Sequence, residues 1–104
     1  MSEDLDAAAR KLLAKAADKI GELGWCKRAF QEAPGGAVCA VGAIRCAVLG
    51  TNSIHSGPPS RNCQIVEDRA KRLLEAKIRC HNIPNWNDHY AGSAEAVQRA
   101  MREA

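Results

Sequence analysis

Leu5, Ala9, Leu12, Ala16, Ile20 and Leu23 recur three or four positions apart, a spacing that lays one buried stripe along a helix over about Glu3 to Leu23. Lys11, Lys15, Asp18, Lys19 and Glu22 fall mostly outside the stripe; Gly24 supplies the stop and Trp25 follows as a bulky anchor. From Cys26 to Gly36 the period is ambiguous: KRAFQEA suits a helical turn, whereas Pro34 and the pair Gly35 and Gly36 end it. Between Gly35 and Gly50 the only charged residue is Arg45. A helix apolar on nearly every side is stable only when surrounded, so the segment from about Ala37 to Leu49 is predicted to be the centre of the fold. Gly50 caps its end. Gly42 costs up to about 1 kcal/mol relative to alanine in mid-helix, and with Ala40, Ala43 and Ala47 it offers a small-residue surface against which another backbone lies closely.

TNSIHSGPPSRN, from Thr51 to Asn62, is predicted to be a loop, because Gly57, Pro58 and Pro59 forbid regular structure. Loops of about a dozen residues are often functional or mobile. A third helix is expected from about Cys63 to Cys80, with Asn62 or Ser60 as N-cap and Glu67 and Asp68 early in it. Its apolar stripe is Ile65, Val66, Ala70, Leu73, Leu74 and Ile78, with basic residues opposite. His81 to Gly92 is expected to be irregular. Ser93 caps a fourth helix that runs to about Arg102 and buries Val97, Ala100 and Met101. No segment alternates long enough to claim a strand. The prediction is a compact all-α single domain over residues 1–104, a bundle of about four helices around the central apolar one.

Composition narrows this picture. A chain of 104 residues has room for one core, and with Trp25, Phe30, Trp86 and Tyr90 as its only aromatics, that core must come from Ala, Leu, Ile and Val. Residues 61 to 81 carry Arg61, Arg69, Lys71, Arg72, Lys77 and Arg79 against Glu67, Asp68 and Glu75. Acids alternate with bases there as on a solvated helix face. Nucleic-acid binders show denser cationic clusters, so phosphate contact through the third helix is the weaker reading. The long connection before that helix also differs from the short turn of a helix-turn-helix. Cys26, Cys39, Cys46, Cys63 and Cys80 are odd in number, and the acidic, amphipathic N-terminus does not read as a secretory leader. Free thiols in a reducing cytoplasm are the expectation. The cysteine gaps match no zinc-finger or zinc-ribbon spacing, so no metal or cofactor is expected, and no apolar run reaches a membrane span.

Chemistry enters through Cys39, expected in the first turn of the central helix, where unpaired N–H groups and the helix dipole favour a thiolate. A hydrolase or transferase built there would use Cys39 as nucleophile, His89 or His55 as base, Asp88 or Asn87 to orient the imidazole, and the Gly35 and Gly36 amides as an oxyanion hole. The competing reading makes Cys39 an ordinary buried cysteine. Trp86, Asn87 and Asp88 likewise read first as a helix-joining device, in which Asn and Asp hold a turn and the indole fills a gap. Their functional reading is a ligand pocket walled by Trp86, with Asp88 and His89 as its polar groups.

Trp25, Gly36, Cys39, Gly42, Ala43, Ile44 and Ala47, then Ile83 with Trp86, Asn87 and Asp88, then Val97 and Ala100, carry a resemblance to a family of small uncharacterised proteins from actinobacteria and their phages. It covers roughly residues 20 to 101 and rests on a Cys-x-x-Gly-Ala helix and a late Trp-Asn-Asp. The resemblance implies a fold and a phage or actinobacterial setting, with no reaction to transfer. The expectation is a non-catalytic protein-interaction or regulatory module in the cytoplasm, a phage or mobile-element product that binds and modulates a protein of the host cell. The expected contact surface is His55, Arg61, Arg69, Arg72, Arg79, Trp86, Asp88 and Tyr90.

Overall fold

Among the described residues the fold has five helices: α1 (Ser2–Leu23), α2 (Ala40–Leu49), α3 (Arg61–Ile78), α4 (Ile83–His89) and α5 (Ala94–Glu103). They are seen in a computed structural model that describes residues 2–104. Among the described residues there is no strand beyond two isolated bridges, from Val38 to Trp25 and from Val38 to Gln31. The longest helix, α1, packs against α2, α3 and α5, while α4 sits against α2 and α3.

The apolar stripe of α1 does what its spacing predicts. Ala9, Leu12, Ala16 and Ile20 are buried together with Leu13 and Ala17, so the buried face is wider than one row. Gly24 ends the helix at φ +96°, its N–H donating to Ile20 O at 2.9 Å. No residue of α2 is exposed, as a helix apolar all round requires. Its Ala40, Ala43 and Ile44 join the α1 stripe, Leu74 of α3, Ile83 of α4 and Met101 of α5 in one cluster.

Three boundaries differ from expectation. Helix α2 begins at Ala40, because Val38 is committed to extended pairing: its N–H donates to Gly24 O and its carbonyl accepts from Cys26 N–H, both at 3.0 Å. Cys39 is therefore the N-cap, its Sγ accepting from Gly42 N–H at 3.4 Å. Helix α3 starts earlier and stops earlier than predicted, with Ser60 as N-cap and Arg79 as a left-handed C-cap at φ 55°. The supposedly irregular stretch after His81 contains α4, which raises the helix number from about four to five. Asn82 caps it through a side chain that accepts from Asn85 N–H at 3.0 Å, and Pro84 in its first turn needs no intrahelical donor. A seven-residue helix carries too few positions to show a periodic stripe.

The predicted stripe of α3 also needs correction. Ile65 is 48% exposed, whereas Glu67 is 2% exposed. Glu67 takes a buried position because Arg45 of α2 faces it across the helix pair: Nε and Nη2 donate to the two carboxylate oxygens at 2.7 and 3.1 Å. The carboxylate raises the Arg45 pKa through that bond, against the opposing effect of burial. A buried carboxylate is tolerated only when it is paired in this way.

Candidate functional site

The segment between α1 and α2 is not helical, and it contributes to two clefts on the surface. Glu32 N–H donates to Ala37 O at 3.0 Å and Cys39 N–H to Phe30 O at 3.1 Å, so the segment folds back on itself. The Phe30 carbonyl lies directly over Gly42; a Cβ at that glycine would stand 1.9 Å from the oxygen. Only glycine permits this approach, which is the close backbone contact that the small-residue surface of α2 predicted. From the other side, the Gln31 amide donates to Asn52 O at 2.7 Å and accepts from Ile54 N–H at 3.0 Å. The beginning of the loop after α2 is thereby pinned.

Helix α4 holds the same segment through Asn87, which is wholly buried. Its Oδ1 accepts from Trp25 Nε1 at 2.7 Å and from Ala40 N–H at 3.0 Å, and its Nδ2 donates to Cys26 O and Asp88 Oδ1, both at 3.1 Å. One amide thus joins the end of α1, the N-terminus of α2 and α4. Asp88 Oδ1 also accepts from Arg28 N–H at 2.9 Å. That bond, followed by the one from Asn87, holds the Asp88 pKa below the usual carboxylate value, and it braces Arg28 at φ 67°, a left-handed conformation rarely adopted by a non-glycine residue.

What this framework displays is Phe30, 53% exposed. Two shallow clefts flank it. One, of about 260 Å³, is lined by Arg28, Ala29, Phe30, Cys39, Pro84 and Asp88. The other, of about 350 Å³, is lined by Phe30, Val41 and Arg45 together with Ile54, His55 and Lys71. Phe30 thus lines both hollows, and α2 contributes Val41, Gly42 and Arg45 to the second.

The residues singled out from sequence are dispersed around this surface. His55 and Asp88 line different clefts, each shared with Phe30. Arg61 and Arg79 are at the two ends of α3, whose 18 residues span about 27 Å. Arg69 is tied to Asp6 of α1, and Arg72 to Glu75 on its own helix; neither is a free cation. Arg72, Arg79 and Cys80 border a separate, open depression. Trp86 is half-buried against the core, while Tyr90, at the end of α4, is 72% exposed. The proposed wall and polar groups of a Trp86 pocket do not converge, since Asp88 turns to Arg28 and His89 is exposed.

The Cys39 constellation has its own geometry. Cys39 is buried, and desolvation raises its pKa above the ordinary thiol value despite the opposing bond from Gly42 N–H. Cys26, whose thiol donates to Ala29 O and Ala37 O, is pushed up to about 11 by burial first and by neighbouring groups, Cys39 foremost, second. Both sulfurs are neutral thiols at physiological pH, the opposite of an activated nucleophile. Neither His89 nor His55 lines the cleft that Cys39 borders. All five cysteines are free, and no group of three metal-ligating side chains forms among the described residues. Among the described residues no helix is long and apolar enough to cross a membrane.

Sequence reasoning passed over Phe30 and underweighted Asn87. The signal for Phe30 was present in KRAFQEA, an aromatic flanked by charges in a segment without an apolar stripe. Neither the curated proteins nor the solved structures contain a match to the chain. Its family is nevertheless shown by a match over residues 4–104, nearly the whole length: the chain belongs to the family of unknown function DUF6197.

Proposed function

We propose that the protein is a non-catalytic interaction module that engages another protein through the face centred on Phe30. The observation that carries this reading is a large aromatic ring left exposed on a segment that hydrogen bonds tie to α4 and to the loop after α2. An exposed aromatic on a mobile loop would be unremarkable; here the Phe30 carbonyl is fixed by Cys39, its neighbours by Gln31 and Asp88, and Arg28 is held in a strained conformation to complete the turn. Strained backbone clusters at functional sites, and aromatic residues are enriched in protein interfaces. His55 and Asp88 belong to this face, and the remaining basic residues of α3 extend it only in part.

The enzyme reading with Cys39, His89 and Asp88 has weaker support, because burial keeps the thiol protonated and Asp88 is engaged with Arg28 and Asn87. Weak nucleic-acid binding through α3 has less, because Arg69 and Arg72 are both in ion pairs. The resemblance to proteins of actinobacteria and their phages supports a phage or mobile-element product acting on a host protein, and the free cysteines suit the cytoplasm.

Affinity capture from lysate of the source cell, with wild type and Phe30→Ser in parallel and rebinding of the purified captured protein by calorimetry, tests the module. One stoichiometric partner that is lost with Phe30→Ser is expected. Capture of nothing, together with a turnover abolished by Cys39→Ala, would establish the enzyme instead.

A further inference from the structure

We infer that Cys26 and Cys39 are a redox modification site: on exposure to a peroxide they join in a disulfide, which closes the segment 26–39, with Phe30 in it, into a covalent ring. The site needs no partner protein and is read out on the isolated chain, so it stands or falls separately from the interaction module.

Register places the two residues together. Val38 N–H donates to Gly24 O and Cys26 N–H donates to Val38 O, both at 3.0 Å, the pair of bonds that sets Trp25 beside Val38 in a parallel bridge. One step further along both segments stand Cys26 and Cys39. Parallel neighbours lie about 4.8 Å apart, inside the roughly 4.4–6.8 Å between Cα atoms that a disulfide spans. Cys39 keeps the extended backbone, at φ −84° and ψ −178°, and residues side by side in register point to the same face. The Cys26 thiol reaches across to Ala37 O at 3.5 Å, two residues before Cys39, and Cys39 is the foremost neighbouring group acting on its ionisation. Oxidation gives up little: Ala37 O keeps the Glu32 N–H, and Ala29 O loses only a thiol, a weak donor.

Access sets the order of events. Cys39 borders the smaller cleft beside Phe30, whereas Cys26 does not line it, so a small oxidant meets Cys39 first. With hydrogen peroxide, the Cys39 thiolate attacks one oxygen, the O–O bond breaks, and the departing hydroxide takes the proton released by the thiol and leaves as water. Cys39 is then a sulfenic acid. Cys26 Sγ attacks Cys39 Sγ, the S–O bond breaks, and a second water leaves with the Cys26 proton. Both thiols are oxidised and the peroxide is reduced. Burial of both sulfurs keeps the thiolate fraction small, so the bond answers prolonged oxidant rather than a brief pulse. A thiol reductant restores the pair, the behaviour of a disulfide in a reducing compartment.

The test is treatment of the full chain with hydrogen peroxide, removal of the oxidant, alkylation of the remaining thiols in denaturant, and mass spectrometry of the unreduced tryptic digest. Cleavage after Lys27, Arg28, Arg45 and Arg61 leaves Cys26, Cys39 and Cys46 on different peptides. A link between the Cys26 and Cys39 peptides is expected, reversed by dithiothreitol and absent from Cys26→Ser and Cys39→Ser. The linked protein should unfold at a higher urea midpoint than the reduced one, because a closed loop constrains the unfolded chain. The wild-type digest identifies the linkage even if a serine variant fails to fold, and a Cys63→Ser, Cys80→Ser background removes bonds between molecules through the half-exposed thiols. Four results would overturn the pairing: both thiols recovered unmodified, either one joined to a different cysteine, Cys39 carried on to sulfinic acid while Cys26 stays alkylatable, or a Cys26–Cys39 link that lowers the urea midpoint.

Discussion

Two seams hold this small protein together by different means. Along α1, α2 and α5 the contact is apolar: Leu13, Ile20, Ile44, Val97 and Met101 are almost completely buried and have no polar side-chain atom to satisfy. Between the segment 24–39 and α4 the contact is polar, and Asn87 makes four hydrogen bonds to four different residues. The apolar seam needs volume and tolerates exchange of shape, since dispersion and burial are non-directional. The polar seam needs donors and acceptors at fixed places, because an unmatched buried group costs its full desolvation. One seam supplies stability in bulk, and the other fixes the geometry of the face that carries Phe30.

The comparison can be broken most forcefully by truncating the core. Ile44→Ala should lose about 2–5 kcal/mol in urea denaturation, the range for a buried aliphatic side chain cut to alanine. Asn87→Leu, close to isosteric, should lose about 2–4 kcal/mol, because Trp25 Nε1 and the Ala40 and Cys26 backbone groups are stranded. Leu13→Met, an equally conservative exchange in the apolar seam, should cost less than about 1.5 kcal/mol. If the two exchanges cost the same, the distinction between the seams is void.

Glu67→Gln should cost about 1–2 kcal/mol, less than a fully enclosed pair would, because the Arg45 side chain is 35% exposed and can rehydrate. Asp88 then sharpens the comparison by pH. Its folded pKa is depressed by the Arg28 and Asn87 donors, so its contribution is fully present above the unfolded carboxylate value and is lost as pH falls through the lower, folded one. The carbon-13 shift of the Asp88 carboxyl should titrate below the ordinary range, and the Arg28 amide resonance should move with it. Thiol labelling resolves the seams without any energy change: Cys63 and Cys80, half-exposed, should react with a disulfide reagent well before the buried Cys26, Cys39 and Cys46. Rapid labelling of Cys39 would reopen its candidacy as a nucleophile.

Legibility in the sequence follows the same division. The apolar seam was readable because periodicity records it directly: the α1 stripe, the enclosure of α2 and the Val97, Ala100 and Met101 face of α5 all follow from spacing. Caps with a local mechanism were readable too, as with Ser93, whose Oγ accepts from Ala96 N–H at 3.1 Å. The polar seam was not. Asn87 acts on residues 47 to 62 positions away, and no local pattern marks a side chain whose partners are backbone groups elsewhere. Glu67 was missed for a related reason: its burial depends on Arg45 lying opposite, a fact of helix pairing and not of either helix alone. The candidate site was partly legible, since His55 and Asp88 were chosen from it, but its centre at Phe30 was hidden by a segment with no period.

The reach of Asn87 has a consequence for biosynthesis. The chain emerges from the ribosome N-terminus first, so Trp25 and Cys26 are made some 60 residues before the amide that fixes them. Until that residue emerges, the stretch bearing Phe30 lacks its brace while the ring is already present. The face that carries Phe30 is therefore among the last parts of the protein to take shape, and a nascent chain interrupted before α4 would display the aromatic ring without the hydrogen bonds that brace the segment beneath it.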